Sequence, residues 1–161
     1  MRSSLRVLVA VTSVLTVLSP VPTGPSVAAG SGSAAADLAY IEQVMHRTGI
    51  RDFVARAGNG DPWFDWSTDW CSAPLVGSTG RTFDFRSACR RHDFGYRNLQ
   101  LMEVRYGSGR TFWNATSRLR VDRRLHTDMD AHCSTRAWYD RATCFAWSDV
   151  FYAAVRVAGG P

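Results

Sequence analysis

The amino-acid sequence predicts an all-α fold. Apolar residues recur at steps of three and four along several segments, strand-like alternation is nearly absent, and Gly- and Pro-rich breaks separate the periodic stretches. The 161 residues fit one domain once a leader is set aside, and a 45% hydrophobic share excludes a disordered chain.

The N-terminal segment reads as a leader. Arg2 and Arg6 precede an apolar run from Val7 to Leu18, the length of a secretory core and too short to span a bilayer. Pro20, Pro22, Gly24 and Pro25 break it, and Val27-Ala28-Ala29 offers small residues for cleavage, with Ala34-Ala35-Ala36 as a second choice. The expectation is a signal peptide over 1–29, cleaved after Ala29 or Ala36, and one secreted, extracellular domain over 30–161. An anchor helix that stays attached is the alternative. Cleavage leaves 17 Arg against 14 acidic residues, a net +3. That balance, with no basic run longer than Arg90-Arg91 or Arg123-Arg124, argues against a nucleic-acid partner. The absence of Lys reads as codon bias.

Asp37 stands as a candidate N-cap for a helix carrying Leu38, Ile41 and Met45, which Gly49 ends. Arg51 to Ala57 makes a short second helix, closed by Gly58-Asn59-Gly60-Asp61-Pro62. Residues 62–84 show no period and read as a long loop, of the kind that carries function in compact domains. Two long helices follow. One runs from about Phe85 to Tyr106 with Phe85, Cys89, His92, Tyr96 and Leu99 on one face. The other runs from about Asn114 to Ala131 with Asp122, Leu125, Met129 and Cys133 aligned. The break at Gly107-Ser108-Gly109 lets them pack antiparallel. A last helix, from about Ala142 to Val157, aligns Cys144, Phe151 and Val155. Asn114-Ala115-Thr116 matches a glycosylation sequon, a pattern that chance also produces.

Four cysteines allow three connectivities. A Cys71–Cys89 bridge would pin the long loop to the first long helix, and Cys133–Cys144 would close the turn between the last two. No C-x-x-C pair points to a metal. Polar residues on the apolar faces carry the chemistry. His92 alone reads as a satisfied core histidine. Asp122, on the facing helix, needs a buried partner, and His92 is within its reach. A carboxylate on one imidazole nitrogen fixes the tautomer and leaves the other nitrogen as a base. No nucleophilic side chain accompanies the pair, so water is the expected nucleophile. A structural ion pair is the bland alternative. Asp69 and Asp93, brought together by a Cys71–Cys89 bridge, could join loop carbonyls in an oxygen-rich Ca²⁺ site; loop capping is the alternative for Asp65 and Asp69.

The loop Phe64-Asp65-Trp66-Ser67-Thr68-Asp69-Trp70-Cys71 and the helix Cys89-Arg90-Arg91-His92-Asp93-Phe94-Gly95-Tyr96-Arg97-Asn98 together resemble the bacterial and fungal, prokaryotic-type branch of the secreted phospholipases A2. The resemblance covers roughly residues 60–157. It implies a helical domain with two long antiparallel, disulfide-linked helices and a calcium-binding loop. It implies His92 as general base, oriented by Asp122, and Ca²⁺ held by the Asp69 and Asp93 carboxylates and the Trp70 carbonyl. It places Tyr96 near the site and pairs Cys71 with Cys89 and Cys133 with Cys144. The animal Gly-rich calcium loop is missing. The 71–89 segment looks rearranged and 106–113 extended.

The function so implied is Ca²⁺-dependent hydrolysis of the sn-2 ester of glycerophospholipids, by a monomer acting on a phospholipid membrane or micelle surface. A catalytically silent secreted lipid-surface or toxin module is the alternative, disfavoured because no base or ligand position is lost. A metal-dependent nuclease explains neither the loop motif nor the mild charge. Trp63 and Trp113 are the interface candidates, and His46, His126 and His132 read as surface residues.

Overall fold

A computed structural model of the chain describes residues 32–71 and 83–160. The expected leader and most of the segment between Cys71 and Cys89 lie outside the described residues. Helix α1 (Ala34–Glu42) runs on into a π-helical turn (Gln43–Arg47). Helix α2 (Ile50–Ala57), the long helices α3 (Arg86–Tyr106) and α4 (Ala115–Ser134), and α5 (Trp138–Ala158) follow. The described residues form an all-α domain. None of its helices is long and apolar enough to cross a membrane.

The pairs that meet across the helices set their directions. Between α3 and α4, Arg91 meets Asp128, His92 meets Asp122 and Tyr96 meets Arg118. Between α4 and α5, Ser148 meets Asp130 and Arg156 meets Asp122, with the Cys133–Cys144 bridge at the turn. In both cases one number rises as the other falls, so each pair is antiparallel, and α3, α4 and α5 form an up-down-up layer. The Cys71–Cys89 bridge fastens the loop ahead of α3 to its first turn.

Gly95 sets the approach of α3 to α4. A Cβ there would lie 2.8 Å from Val121 Cγ1 and from Met45 Cε. Val121 is stiff at χ1 and fully buried, so only glycine lets the helices stand this close. Two apolar clusters result. One joins Tyr40, Val44, Met45, Phe53, Phe64 and Phe94, and the other joins Phe85, Leu125, Met129, Phe151 and both disulfides.

Two local expectations change. Ser33, not Asp37, caps α1, accepting from the Ala36 amide. Asp37 is buried inside the helix, where it accepts from Trp63 Nε1 at 2.6 Å and the Tyr106 hydroxyl at 2.9 Å. Helix α5 begins four residues earlier than the apolar pattern suggests, because Trp138 and Tyr139 are exposed and leave no periodic trace. The Asn114 side chain caps α4: it accepts from the Thr116 and Ser117 amides and donates to the carbonyls of Arg110 and Thr111. That network accounts for Asn at position 114 without glycosylation.

Buried Arg91 joins the N-terminal segment to the long helices. It donates to the carbonyls of Met45 and Thr48 and pairs with Asp128 across 3.3 Å. Burial moves both partners toward neutrality, the Arg91 guanidinium down to about 10 and the Asp128 carboxyl up.

Candidate active site

His92 sits two turns into α3 on its buried face, and Asp122 opposes it from α4. His92 Nε2 lies 2.8 Å from Asp122 Oδ1, and the Tyr96 hydroxyl donates to the same oxygen at 2.7 Å. Asp122 is 0% exposed. Burial by itself would raise its carboxyl. Hydrogen bonds from His92, Tyr96 and Arg156 more than offset this and hold it below the ordinary carboxylate range. The group is therefore an anion and accepts only. His92 must give it the Nε2 proton, which leaves Nδ1 as the nitrogen with a free lone pair. The same contacts push the Tyr96 hydroxyl far above its usual range, first by burial and then by Asp122, so Tyr96 stays a neutral donor.

The loop is carried to this pair by α3. Buried Asn98 holds the Asp65 backbone from both sides, accepting from its amide at 2.9 Å and donating to its carbonyl at 2.7 Å. Asp65 caps the next turn, accepting from the Ser67 amide at 2.8 Å. The Thr68 hydroxyl and the Asp69 amide then both donate to Asp93 Oδ2. The Cys71–Cys89 bridge closes the arrangement one turn before His92. Trp70, between these fixed points, has φ of 62°, a left-handed conformation that side chains rarely adopt and that clusters at functional sites.

Asp69, Trp70, His92, Asp93 and Tyr96 line one side of a pocket of about 260 Å³. Leu125 of α4 and Phe151, Ala154, Val155, Ala158 and Gly159 from the end of α5 line the other. The pocket is thus polar at the loop and α3, and apolar along α5. Its mixed lining suits a ligand with one polar and one apolar part.

The donors around Asp69 and Asp93 are oxygens. Burial pushes the Asp93 carboxyl up to about 6, eased by the Thr68 hydroxyl and raised again by the Asp69 charge. A buried Asp93 carboxyl beside the Asp69 charge fits a hard cation. Among the described residues no three His, Cys, Asp or Glu side chains gather closely enough to hold a metal by themselves. A cation here would depend on carbonyls and water as well, which is ordinary for Ca²⁺ and not for Zn²⁺.

Every residue singled out from the sequence for chemistry lies in this region: His92 and Asp122 in contact, Tyr96 on Asp122, and Asp69, Trp70 and Asp93 at the pocket. The four cysteines pair as Cys71–Cys89 and Cys133–Cys144. Arg118 and Arg156 are neighbours of the pair that sequence reasoning passed over, and Asn98 stood in the helix motif without an assigned role. The interface candidates fare differently. Trp63 is partly exposed, with Arg105 over its ring, and Trp113 packs edge-on against Tyr96. The tryptophan presented at the pocket is Trp70, 44% exposed. His46 lies 3.8 Å from Glu42 with its ionisation lowered by burial, and His132 packs against Phe85 with its own ionisation lowered by burial.

The family model for prokaryotic phospholipase A2 matches residues 41–159. A secretory phospholipase A2 of Beauveria bassiana (strain ARSEF 2860) is 36% identical over 96 residues, which are 60% of this chain and 44% of that protein. A secretory phospholipase A2 of Arthroderma benhamiae (strain ATCC MYA-4681 / CBS 112371) is 29% identical over 126 residues, 75% of this chain and 78% of that protein. The chain thus spans less than half the length of the Beauveria relative. The family match begins inside α1 and reaches the end of α5, so it takes in every helix that builds the pocket. On that match, with the His92–Asp122 pair and the loop that Asn98 and Cys89 hold beside it, the chain belongs to the prokaryotic phospholipase A2 family.

Proposed function

We propose that this chain is a secreted phospholipase A2 that hydrolyses the sn-2 acyl ester of glycerophospholipids with Ca²⁺, working as a monomer at a membrane or micelle surface. The observation that carries the reading is the His92–Asp122 pair at 2.8 Å, opening onto a pocket with a polar and an apolar wall.

In this reading His92 Nδ1 takes a proton from water as that water attacks the ester carbonyl. Asp122 holds Nε2–H, so the imidazole presents Nδ1 and the imidazolium that forms meets an anion already in place. Tyr96 donates to the same Asp122 Oδ1 and helps keep that carboxylate charged. When the ester oxygen departs, His92 returns the proton to it. The Asp69 and Asp93 carboxylates and the Trp70 carbonyl are the residues that would hold Ca²⁺, which supplies positive charge beside the ester carbonyl when bound. The α5 wall takes the acyl chain and excludes water from it. Residues 1–29 are the proposed leader, and the names of both fungal relatives support secretion.

The test is fatty-acid release from phosphatidylcholine vesicles labelled at sn-2, with Ca²⁺ and with excess EGTA. His92→Asn is expected to abolish release while leaving circular dichroism unchanged. Asp93→Asn is expected to abolish Ca²⁺ binding in calorimetric titration, whatever its activity. Normal release by H92N, full activity in EGTA, or label appearing only in the lysolipid would overturn the proposal.

A further inference from the structure

Asp122 uses its two oxygens differently. Oδ1 serves His92 and Tyr96. Oδ2 faces α5 and accepts from Arg156 Nη1 at 2.6 Å. Arg156 lies in the last turn of α5, 34 positions along the chain from its partner. Its side chain is one-third exposed, while the carboxylate is fully buried. Arg118 of α4 fixes that turn in place: its Nη2 donates to the carbonyls of Val155 at 2.9 Å and Arg156 at 2.6 Å. The Arg118 Nε stands 3.6 Å from the same Oδ2, beyond hydrogen-bond reach.

We infer that Arg156 is a positioning residue for hydrolysis: its guanidinium pins Asp122 Oδ2 so that Oδ1 stays aimed at His92 Nε2, which makes the last turn of α5 part of the catalytic apparatus. The inference rests on the reading of His92 as the base. The torsion that turns a carboxylate about its own axis is broad, so two donors on one oxygen do not fix its plane. A charged donor on the other oxygen, from a third helix, does. Without Arg156, the buried Oδ2 would have only Arg118 nearby, beyond hydrogen-bond reach. Arg118 Nε, which donates to the Tyr96 hydroxyl at 3.2 Å, could close on Oδ2 only if the carboxylate turned toward it and away from His92. Val155, Ala158 and Gly159 line the pocket but Arg156 does not, so substrate binding should not need it.

The experiment compares Arg156→Gln and Arg156→Lys with wild type and with H92N, in the full chain. Fatty-acid release is read over a range of vesicle concentration, with melting temperature and Ca²⁺ titration alongside. R156Q keeps a polar donor but shortens the side chain and removes the charge, so the bond to Asp122 Oδ2 is lost. We expect its kcat to fall about 10- to 100-fold with KM and Ca²⁺ affinity unchanged, R156K to recover most of the loss, and dilute, non-denaturing guanidinium to restore part of the R156Q rate. Unchanged kcat in R156Q overturns the inference. So does a loss that tracks the folded fraction or KM and responds to neither rescue, since that is the mark of a strut for α5. If H92N is itself active, the functional reading fails; if H92N is inactive and R156Q is normal, only the role of Arg156 fails.

Discussion

Replacing Gly95 by alanine should wedge α3 from α4 next to the His–Asp pair. The new Cβ would lie 2.8 Å from Val121 Cγ1, about 0.7 Å short of ordinary carbon contact. Met45, the other neighbour, meets it with Cε and Sδ, the far end of a flexible side chain that can swing aside. Val121 cannot, so the helices must part. Val121 adjoins Asp122, and a shift of that size would stretch the 2.8 Å His92–Asp122 bond to about 3.5 Å, outside useful range. Overpacking destabilises by about 1–3 kcal/mol, and the alanine preference of a helix returns about 1 kcal/mol. The net loss is about 0–2 kcal/mol, a melting point lower by at most about 8 °C. The rate of fatty-acid release should fall much further, about 10- to 100-fold, because geometry and not folding is spoiled. Calorimetry and release assays on G95A, V121A and the double variant separate the effects. The double variant should regain activity while staying less stable than wild type, since the lost methyls make room. Wild-type kcat in G95A, or no recovery in the double variant, would refute the reasoning.

Asn98→Ala removes both hydrogen bonds to Asp65. It should lose about 2–3 kcal/mol of stability in urea unfolding and weaken Ca²⁺ binding in calorimetric titration, since the loop that brings Asp69 to Asp93 is released. The two disulfides should be unequal in function. Each loop closure is worth about 3 kcal/mol, but only the Cys71–Cys89 double alanine variant should lose activity in step with Ca²⁺ affinity, while the Cys133–Cys144 variant stays active at temperatures where it is folded. The depressed Asp122 carboxyl adds stability that is complete above the unfolded-state value of about 3.9 and lost as pH falls through the lower folded value. The stability difference between wild type and Asp122→Asn should therefore be constant above about pH 5 and shrink below about pH 4; a difference that grows on acidification contradicts the sign.

The long helices were legible because their inward residues recur without interruption: Cys89, His92 and Leu99 on α3, and Asp122, Leu125 and Met129 on α4, are all buried. An Asp in such a stripe announces a partner, and antiparallel packing left His92 as the nearest. Arg156 gave no such sign. An arginine in a last helical turn reads as an exposed charge that suits the helix dipole, and nothing local says that it reaches a carboxylate on another helix. Asn98 was visible in the motif, yet its partner is the backbone of Asp65, which has no residue-type signature. Asp37 misled for the opposite reason: its position ahead of an apolar helix imitates a cap, while Trp63 and Tyr106, its buried partners, are distant in sequence.

Because α1 and its π-helical turn are held by groups 26 to 78 residues away, such as Trp63 and Arg120, they lose their attachments together. The densest packing lies instead between α4 and α5 and between α3 and α4. Amide hydrogens in α1 and α2 should exchange through a partial opening that leaves α3, α4 and α5 assembled. The boundary between the two units runs through Arg91, which bonds the Met45 and Thr48 carbonyls on one side and Asp128 on the other. Its guanidinium, buried in the closed molecule, is expected to gain water in that opening.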